Sequence, residues 1–162
     1  MNGFEPGLET RAWAAERRSD ATTAFGRWLL GVLCLFGLYT VAHGQVTPGG
    51  GFQGGVIIAG AFLLIWLSDG YRVWRRWTPI AAFDLAEALS AGAFVAIGLL
   101  ALLLGASFLG NWLPLGQPGT PFSGGTIGVL NAVVGIEVAA AFVLVFSEFL
   151  EETRRSGPEE SG

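Results

Sequence analysis

Four long apolar runs limit what this chain can fold into more than any other feature of its sequence. Three of them, Thr23–Ala42, Leu85–Leu109 and Ile127–Leu150, reach the ~20 mainly apolar residues that a helix needs to cross a bilayer. One further run, Phe52–Leu67, which is the second in chain order, is shorter but almost wholly apolar. Only 14% of the residues are charged, against about 25% in soluble domains. The sequence therefore predicts an all-α integral membrane protein with four transmembrane helices.

The basic residues, all of them arginines, test this count. They lie before or in the first run, between the second and third, and after the fourth: Arg11, Arg17, Arg18, Arg27, Arg72, Arg75, Arg76, Arg154 and Arg155. The other two connections contain none. Because cytoplasmic loops are enriched in arginine and lysine, the pattern predicts an even number of spans with both termini cytoplasmic. A three-span chain without Phe52–Leu67 would place residues 72–76 against this rule.

We therefore expect three regions in a multi-pass protein of the cell membrane. Residues 1–22 form a cytoplasmic tail, 23–150 a four-helix membrane domain, and 151–162 a flexible cytoplasmic tail. The formal net charge is −4, and nucleic-acid binding would need a basic face, so we expect membrane lipid and no nucleic acid as a partner. The single cysteine, Cys34, is expected to be a buried, inert thiol.

Local signals indicate where the helices begin and end. Thr78 and Pro79 are typical of the N-cap and the first position of a helix, which would start the third span there. Thr126 is a candidate cap for the fourth span. Asp69 and Gly70 either end the second span or merely interrupt it.

Four acidic residues lie inside or at the edge of the apolar runs: Asp84, Glu87, Glu137 and Glu148. An ionised acid in hydrocarbon is costly, so such a residue normally faces protein or a water-filled cavity. Glu87 is roughly 12 Å into its helix, and Glu137 is about three turns into its own, near the midplane. Burial favours the neutral, proton-carrying form of a carboxyl group. These acids are therefore candidates for a proton or cation path.

Each candidate also has a structural interpretation. Asp84 shares a helix face with Glu87 and is equally well explained as an interfacial acid near the helix N-terminus. Glu87 and Glu137 could simply hydrogen-bond to a neighbouring helix, and Glu148 is expected to be solvated. Asn131 is expected to bond between helices rather than to bind a cation.

His43, the only histidine, is a candidate for a proton path or for a cap or loop-packing group. A metal site would need further ligands, and the sequence has no Cys/His cluster. No Ser/His/Asp set with recognisable spacing is present either. We therefore expect a protein that is not an enzyme, with no catalytic residue, no metal site and no cofactor.

An uncharged, glycine-rich segment joins the first two runs. It comprises His43, Gly44, Gln45, Val46, Thr47, Pro48, Gly49, Gly50, Gly51, Phe52, Gln53, Gly54 and Gly55. It lacks the lysine of a phosphate-binding loop. Irregular backbone at membrane depth is tolerated only where protein covers it or it lines a cavity. We therefore expect Gly49–Gly55 to dip into the membrane, to begin the second helix, and to be buried, with another subunit favoured as the cover.

The same segment resembles the signature of the MrpB/MnhB subunit family of multisubunit Na⁺/H⁺ antiporters. The resemblance extends to Phe36–Tyr39, Glu87–Leu89 and Asn131–Ala140, and covers roughly residues 25–148. Gln45 stands where family members often have a second histidine, so a proton role for that imidazole is not carried over.

The resemblance implies a small membrane subunit of a Mrp-type complex that exchanges Na⁺, and in some members Li⁺ or K⁺, for H⁺. Its partners would be the other subunits of that complex. Two alternatives stay open: a homologous subunit of a membrane-bound hydrogenase or related respiratory complex, and a purely structural scaffold subunit.

Overall fold

The apolar runs form helices in the computed structural model, which describes residues 20–120 and 123–155. Within this part of the chain the helices are α1 (Asp20–Ala42), α2 (Gly51–Asp69), α3 (Tyr71–Trp77), α4 (Ile80–Leu103) and α5 (Thr126–Arg155). All except α3 are long and apolar enough to cross a membrane. The predicted four membrane-spanning helices are thus confirmed, including the short second run. Arg11, Arg17, Arg18 and most of both predicted tails lie outside the described residues.

The third span differs from its apolar run, which continues to Leu109. Helix α4 ends at Leu103, and Gly105 then takes a positive φ of 81°. Glycine reaches this conformation without steric cost, so the chain can leave the helix axis there. Phe108 then folds back against Gly98 so closely that a side chain at Gly98 would overlap the Phe108 ring. The predicted end at Leu109 was therefore wrong, because residues 104–109 pack as an apolar loop.

Helices α2 and α5 form the central pair. Gly51 meets Asn131 and Gly135, whereas Gly55 meets Gly135 and Val138, so the contacts advance in the same direction and the two helices are parallel. Helix α1 packs on α2, and helix α4 packs on α5. We call the end with residues 43–50 the glycine-loop end and the opposite end, with residues 70–79, the arginine end.

The arginine end is built around a sharp break in the chain. Gly70 ends α2 with a φ of 87°, and the short helix α3 then buries Trp74, which is 1% exposed. The Thr78 hydroxyl donates to the carbonyl oxygen of Trp74 at 2.7 Å, so it completes the C-terminus of α3. Pro79 occupies the N-cap of α4, which starts at Ile80. The assignment of Thr78 as that cap was wrong, because its hydroxyl satisfies the preceding helix instead.

Candidate functional site

Glu87 and Glu137 line one cavity between α4 and α5. Its volume is 330 Å³, and it is lined by Glu87, Phe94, Val134, Glu137, Val138, Ala141 and Phe142. Both residues are half-buried. The two acids that lie deepest in their predicted spans therefore line the same space, which is otherwise apolar. We call it the two-glutamate cavity.

Helix register explains why these two acids meet. Glu87 is the eighth residue of α4, about 10 Å from its start at the arginine end, and Glu137 is the twelfth of α5, about 16 Å from its start at the glycine-loop end. The two helices start at opposite sides of a hydrocarbon core about 30 Å thick. The two acids therefore lie at nearly the same depth in the membrane. Two acids that are 50 residues apart in the sequence thus line the same cavity.

The other acids of the spans lie elsewhere. Asp84 is exposed and does not line the two-glutamate cavity, although it lies one turn before Glu87. Glu148 is exposed near the arginine end of α5, where the sequence analysis expected a solvated acid. The structure therefore separates Asp84 and Glu148 from the pair.

His43 is held at the glycine-loop end by its own helix. Its ring stacks on Tyr39 with centroids 4.2 Å apart, and its Nδ1 atom lies 3.2 Å from the Tyr39 carbonyl oxygen. The Thr47 hydroxyl donates to the His43 carbonyl oxygen at 3.1 Å. These contacts match a loop-packing group, and His43 does not line the two-glutamate cavity.

The glycine segment is packed against the chain's own helices. Gly50, Gly51, Gly54 and Gly55 are buried, whereas Gly49, Phe52 and Gln53 are exposed, so the predicted burial of Gly49–Gly55 holds for only part of the segment. Gly49 takes a φ of 143° that β-carbon-bearing residues rarely adopt. The contacts come from α1 and α5, whereas the sequence alone favoured another subunit as the cover. The prediction that the second helix begins inside this segment is confirmed, because α2 starts at Gly51.

Asn131 joins this segment to α5. Its Oδ1 atom accepts a hydrogen bond from the Gly51 amide at 3.4 Å, and its Nδ2 atom donates to Gln45 at 3.5 Å. Asn131 is therefore an inter-element hydrogen-bonding group, as the sequence predicted. Gln45 takes part in this structural contact.

One aromatic contact connects the glycine segment to the two-glutamate cavity. The Phe52 ring packs edge-on against Phe142, with centroids 6.4 Å apart, and Phe142 lines the cavity. The first turn of α2 thus supports one wall of the space that the two acids share.

Sequence reasoning missed a further acid, Asp69. Its side chain is 2% exposed and accepts hydrogen bonds from the Arg27 guanidinium at 2.9 and 2.5 Å. The Ser68 hydroxyl also donates to it at 2.9 Å. Arg27, near the start of the first apolar run, could have indicated this ion pair. Because the connection between α1 and α2 is short, the two helices are antiparallel, and Arg27 therefore lies close to the end of α2.

A second cavity of 290 Å³ is bounded by apolar side chains of α1, α2, α4 and α5, among them Leu38, Ile58, Phe83 and Ile136. Along residues 20–120 and 123–155, no group of three or more His, Cys, Asp or Glu side chains is arranged to hold a metal ion. Of these two cavities, the two-glutamate cavity is the one that carries acidic side chains.

Comparison with known proteins identifies the family. Residues 22–144 match the family described as a domain related to the MnhB subunit of Na⁺/H⁺ antiporters. The chain is 30% identical to a Na⁺/H⁺ antiporter subunit of Alkalihalophilus pseudofirmus over 128 residues, which are 72% of this chain and 84% of that protein. It is 32% identical to an uncharacterized protein of Methanocaldococcus jannaschii over 115 residues, which are 67% of this chain.

The fold also matches a solved structure. A chain of the membrane-bound sulfane sulfur reductase, an archaeal respiratory membrane complex, superimposes with a TM-score of 0.70 at 34% identity over 82% of this chain. This chain spans 58% of the length of that one and 44% of the length of the Methanocaldococcus relative. Family match, sequence relatives and four membrane-spanning helices agree: the chain is a multi-pass membrane protein that belongs to the family of domains related to the MnhB subunit of Na⁺/H⁺ antiporters.

Proposed function

We propose that this chain is a membrane subunit of a Mrp-type antiporter that exchanges Na⁺ for H⁺ across the cell membrane. The family match supports the proposal, and so does the similarity to the Alkalihalophilus antiporter subunit, most of whose length this chain covers. Its partners are the other subunits of that complex, and the arginine end faces the cytoplasm. The chain acts as a transport subunit rather than as an enzyme.

We further propose that Glu137 and Glu87 line part of the ion path. The single observation that carries this proposal is their meeting in one cavity from two different helices. Intramembrane acids commonly belong to proton relays and ion pathways. A carboxyl group there can carry a proton when neutral and attract a cation when ionised. Asp84 and His43 lie outside this cavity, and we give them no part in the central step.

Separate Glu137→Gln and Glu87→Gln substitutions in the complete complex test this role. Each replaces an ionisable carboxyl group by an amide of nearly the same shape. We expect Na⁺-dependent proton movement in everted membrane vesicles to fall close to the level of vesicles that lack the complex, while the amount of assembled complex stays unchanged. Glu148→Gln on the same helix α5 is the matched control, because that side chain is exposed.

Near-normal exchange by an assembled Glu137→Gln or Glu87→Gln complex would remove that residue from the ion path. If both variants exchange normally and deletion of the chain prevents assembly, the chain is a scaffold subunit. The two results separate transport from assembly because both are measured on the same membranes.

A second candidate function is a homologous subunit of a respiratory membrane complex. The observation that favours it is the similarity to a chain of the sulfane sulfur reductase complex. Purification of this chain from its own membranes decides between the two: iron–sulfur absorbance in the purified complex would favour the respiratory assembly, and its absence together with Na⁺/H⁺ exchange would favour the antiporter.

A further inference from the structure

The two-glutamate cavity is open on the outer side of the α4–α5 pair. Glu87, Glu137 and the flanking Phe94 are only half-buried by the chain itself, and Phe142 is 37% exposed. The depths of the acids along their helices put this opening within the hydrocarbon layer rather than at its surface. In an isolated subunit, two carboxyl groups would therefore face lipid.

No basic side chain of the described residues lines this cavity. Arg27 binds Asp69, and Arg75 donates to the Thr78 carbonyl oxygen. Arg72 and Arg76 belong to α3 at the arginine end, and His43 stacks on Tyr39 at the glycine-loop end. None of these basic groups is thus placed to pair with Glu87 or Glu137.

An ionisable acid placed in hydrocarbon is costly, and such residues normally pair with other polar groups. Lipid tails offer no hydrogen-bond donor. A bare monovalent cation would find two carboxylates and otherwise apolar walls. A basic side chain on an apolar helix supplies both the charge and the cover that this opening requires.

We propose that the open side of the two-glutamate cavity docks a transmembrane helix of another subunit, and that this helix places a basic side chain between Glu87 and Glu137. The inference rests on the proposed function for the existence of partner subunits. The paired cation would hold the carboxyl groups in place and balance their charge during proton or ion transfer.

Site-specific photocross-linking in the assembled complex tests the docking. Benzoylphenylalanine replaces Phe94 in one variant and Phe142 in another, because both rings line the cavity. Phe62 is the control position, since its ring packs against Phe83 of the same chain with centroids 5.4 Å apart. We expect both cavity positions to cross-link to a membrane segment of another subunit that has a lysine, arginine or histidine within one helical turn of the linked residue.

The second measurement asks whether that basic residue pairs with the acids. It is changed to glutamine alone, Glu137→Gln is made alone, and the two changes are combined; the readout is the thermal stability of the purified complex. For a paired charge, the double variant loses clearly less stability than the sum of the single losses, because removal of either partner already breaks the pair.

Cross-links to lipid alone, or to segments without a basic residue, would overturn the docking proposal, and so would additive stability losses. Neither measurement depends on transport. If Glu137→Gln abolishes exchange but the cavity positions cross-link only to lipid, the ion-path role stands and the paired cation is refuted. If Glu137→Gln leaves exchange intact but the cavity positions cross-link to a helix with a basic residue, the docked helix stands and the ion-path role is refuted.

Discussion

Glycines bring the backbones of α1, α2 and α5 into direct contact. A β-carbon at Gly54 would lie 2.6 Å from the Gly37 carbonyl oxygen, and one at Gly55 would lie 2.8 Å from the Gly135 carbonyl oxygen. Small residues allow this approach in membranes, where packing rather than hydrophobicity holds helices together. The glycine signature is therefore a packing device at the residue scale.

Gly51→Ala tests this packing against Gly60→Ala on the same helix. An added methyl group at Gly51 would overlap the carbonyl oxygen of Asn131, whereas the space around Gly60 is open. Overpacking costs about 1–3 kcal/mol, so Gly51→Ala should lower the thermal unfolding midpoint of the purified protein. Gly60→Ala should leave it nearly unchanged. Equal midpoints for the two variants would contradict the proposed close contact.

Arg27→Gln tests the ion pair that joins α1 to α2. The substitution leaves the 2%-exposed Asp69 carboxylate without its cation, and an unsatisfied buried charged group costs roughly 1–3 kcal/mol or more. We expect a clear loss of stability in a denaturation series in detergent micelles. Arg76→Gln on the exposed side of α3 is the control and should behave like the unsubstituted protein; a similar loss in both variants would refute a specific role for the pair.

The short helix α3 anchors the connection between α2 and α4 at the scale of elements. Trp74 is 1% exposed and belongs to a core with Ala59, Ile65 and Val143, and the Tyr71 hydroxyl lies within 3.4 Å of Glu151 on α5. The sequence analysis treated this segment only as an arginine-bearing connection between two spans, because three arginines within seven residues give no sign that one face of α3 is buried.

Trp74→Ala should be among the most destabilising single changes in this chain. Removal of a buried aromatic side chain costs about 3–5 kcal/mol, whereas Trp77 is 53% exposed and its change to alanine should cost little. Thermal unfolding of the two variants, followed by circular dichroism, compares them. Comparable midpoints would mean that α3 does not anchor the connection.

The apolar runs predicted the helices because hydrocarbon demands ~20 apolar residues and internally satisfied backbones. They failed at Leu104–Leu109, where loop residues are as apolar as the helix and only the geometry at Gly105 ends it. Glu87 and Glu137 were found because lone acids stand out in apolar runs. Their meeting was not predictable, since hydropathy does not reveal which helices are neighbours. Asp69 was missed because it stands at the end of an apolar run, where hydropathy does not distinguish a buried acid from a solvated one.

At the scale of the whole molecule, the first and last residues that the structure describes both lie at the arginine end. The distribution of arginines predicts that this end faces the cytoplasm. Single cysteines introduced in a Cys34→Ser background test the orientation. Gln117→Cys, in the exposed connection between α4 and α5, should react with a membrane-impermeant maleimide added to intact cells. Arg76→Cys should react only after the cells are opened, and the reverse pattern would invert the topology.

The measurement that tests the central claim most directly uses the purified complex that contains this chain, reconstituted in proteoliposomes. A Na⁺ gradient is imposed and the internal pH is followed with a fluorescent dye, with no electron donor or acceptor present. The antiporter account predicts an immediate pH change that depends on Na⁺ and is lost in the Glu137→Gln complex. Proton movement that begins only when an electron donor and acceptor are supplied would contradict it and assign the chain to a respiratory complex.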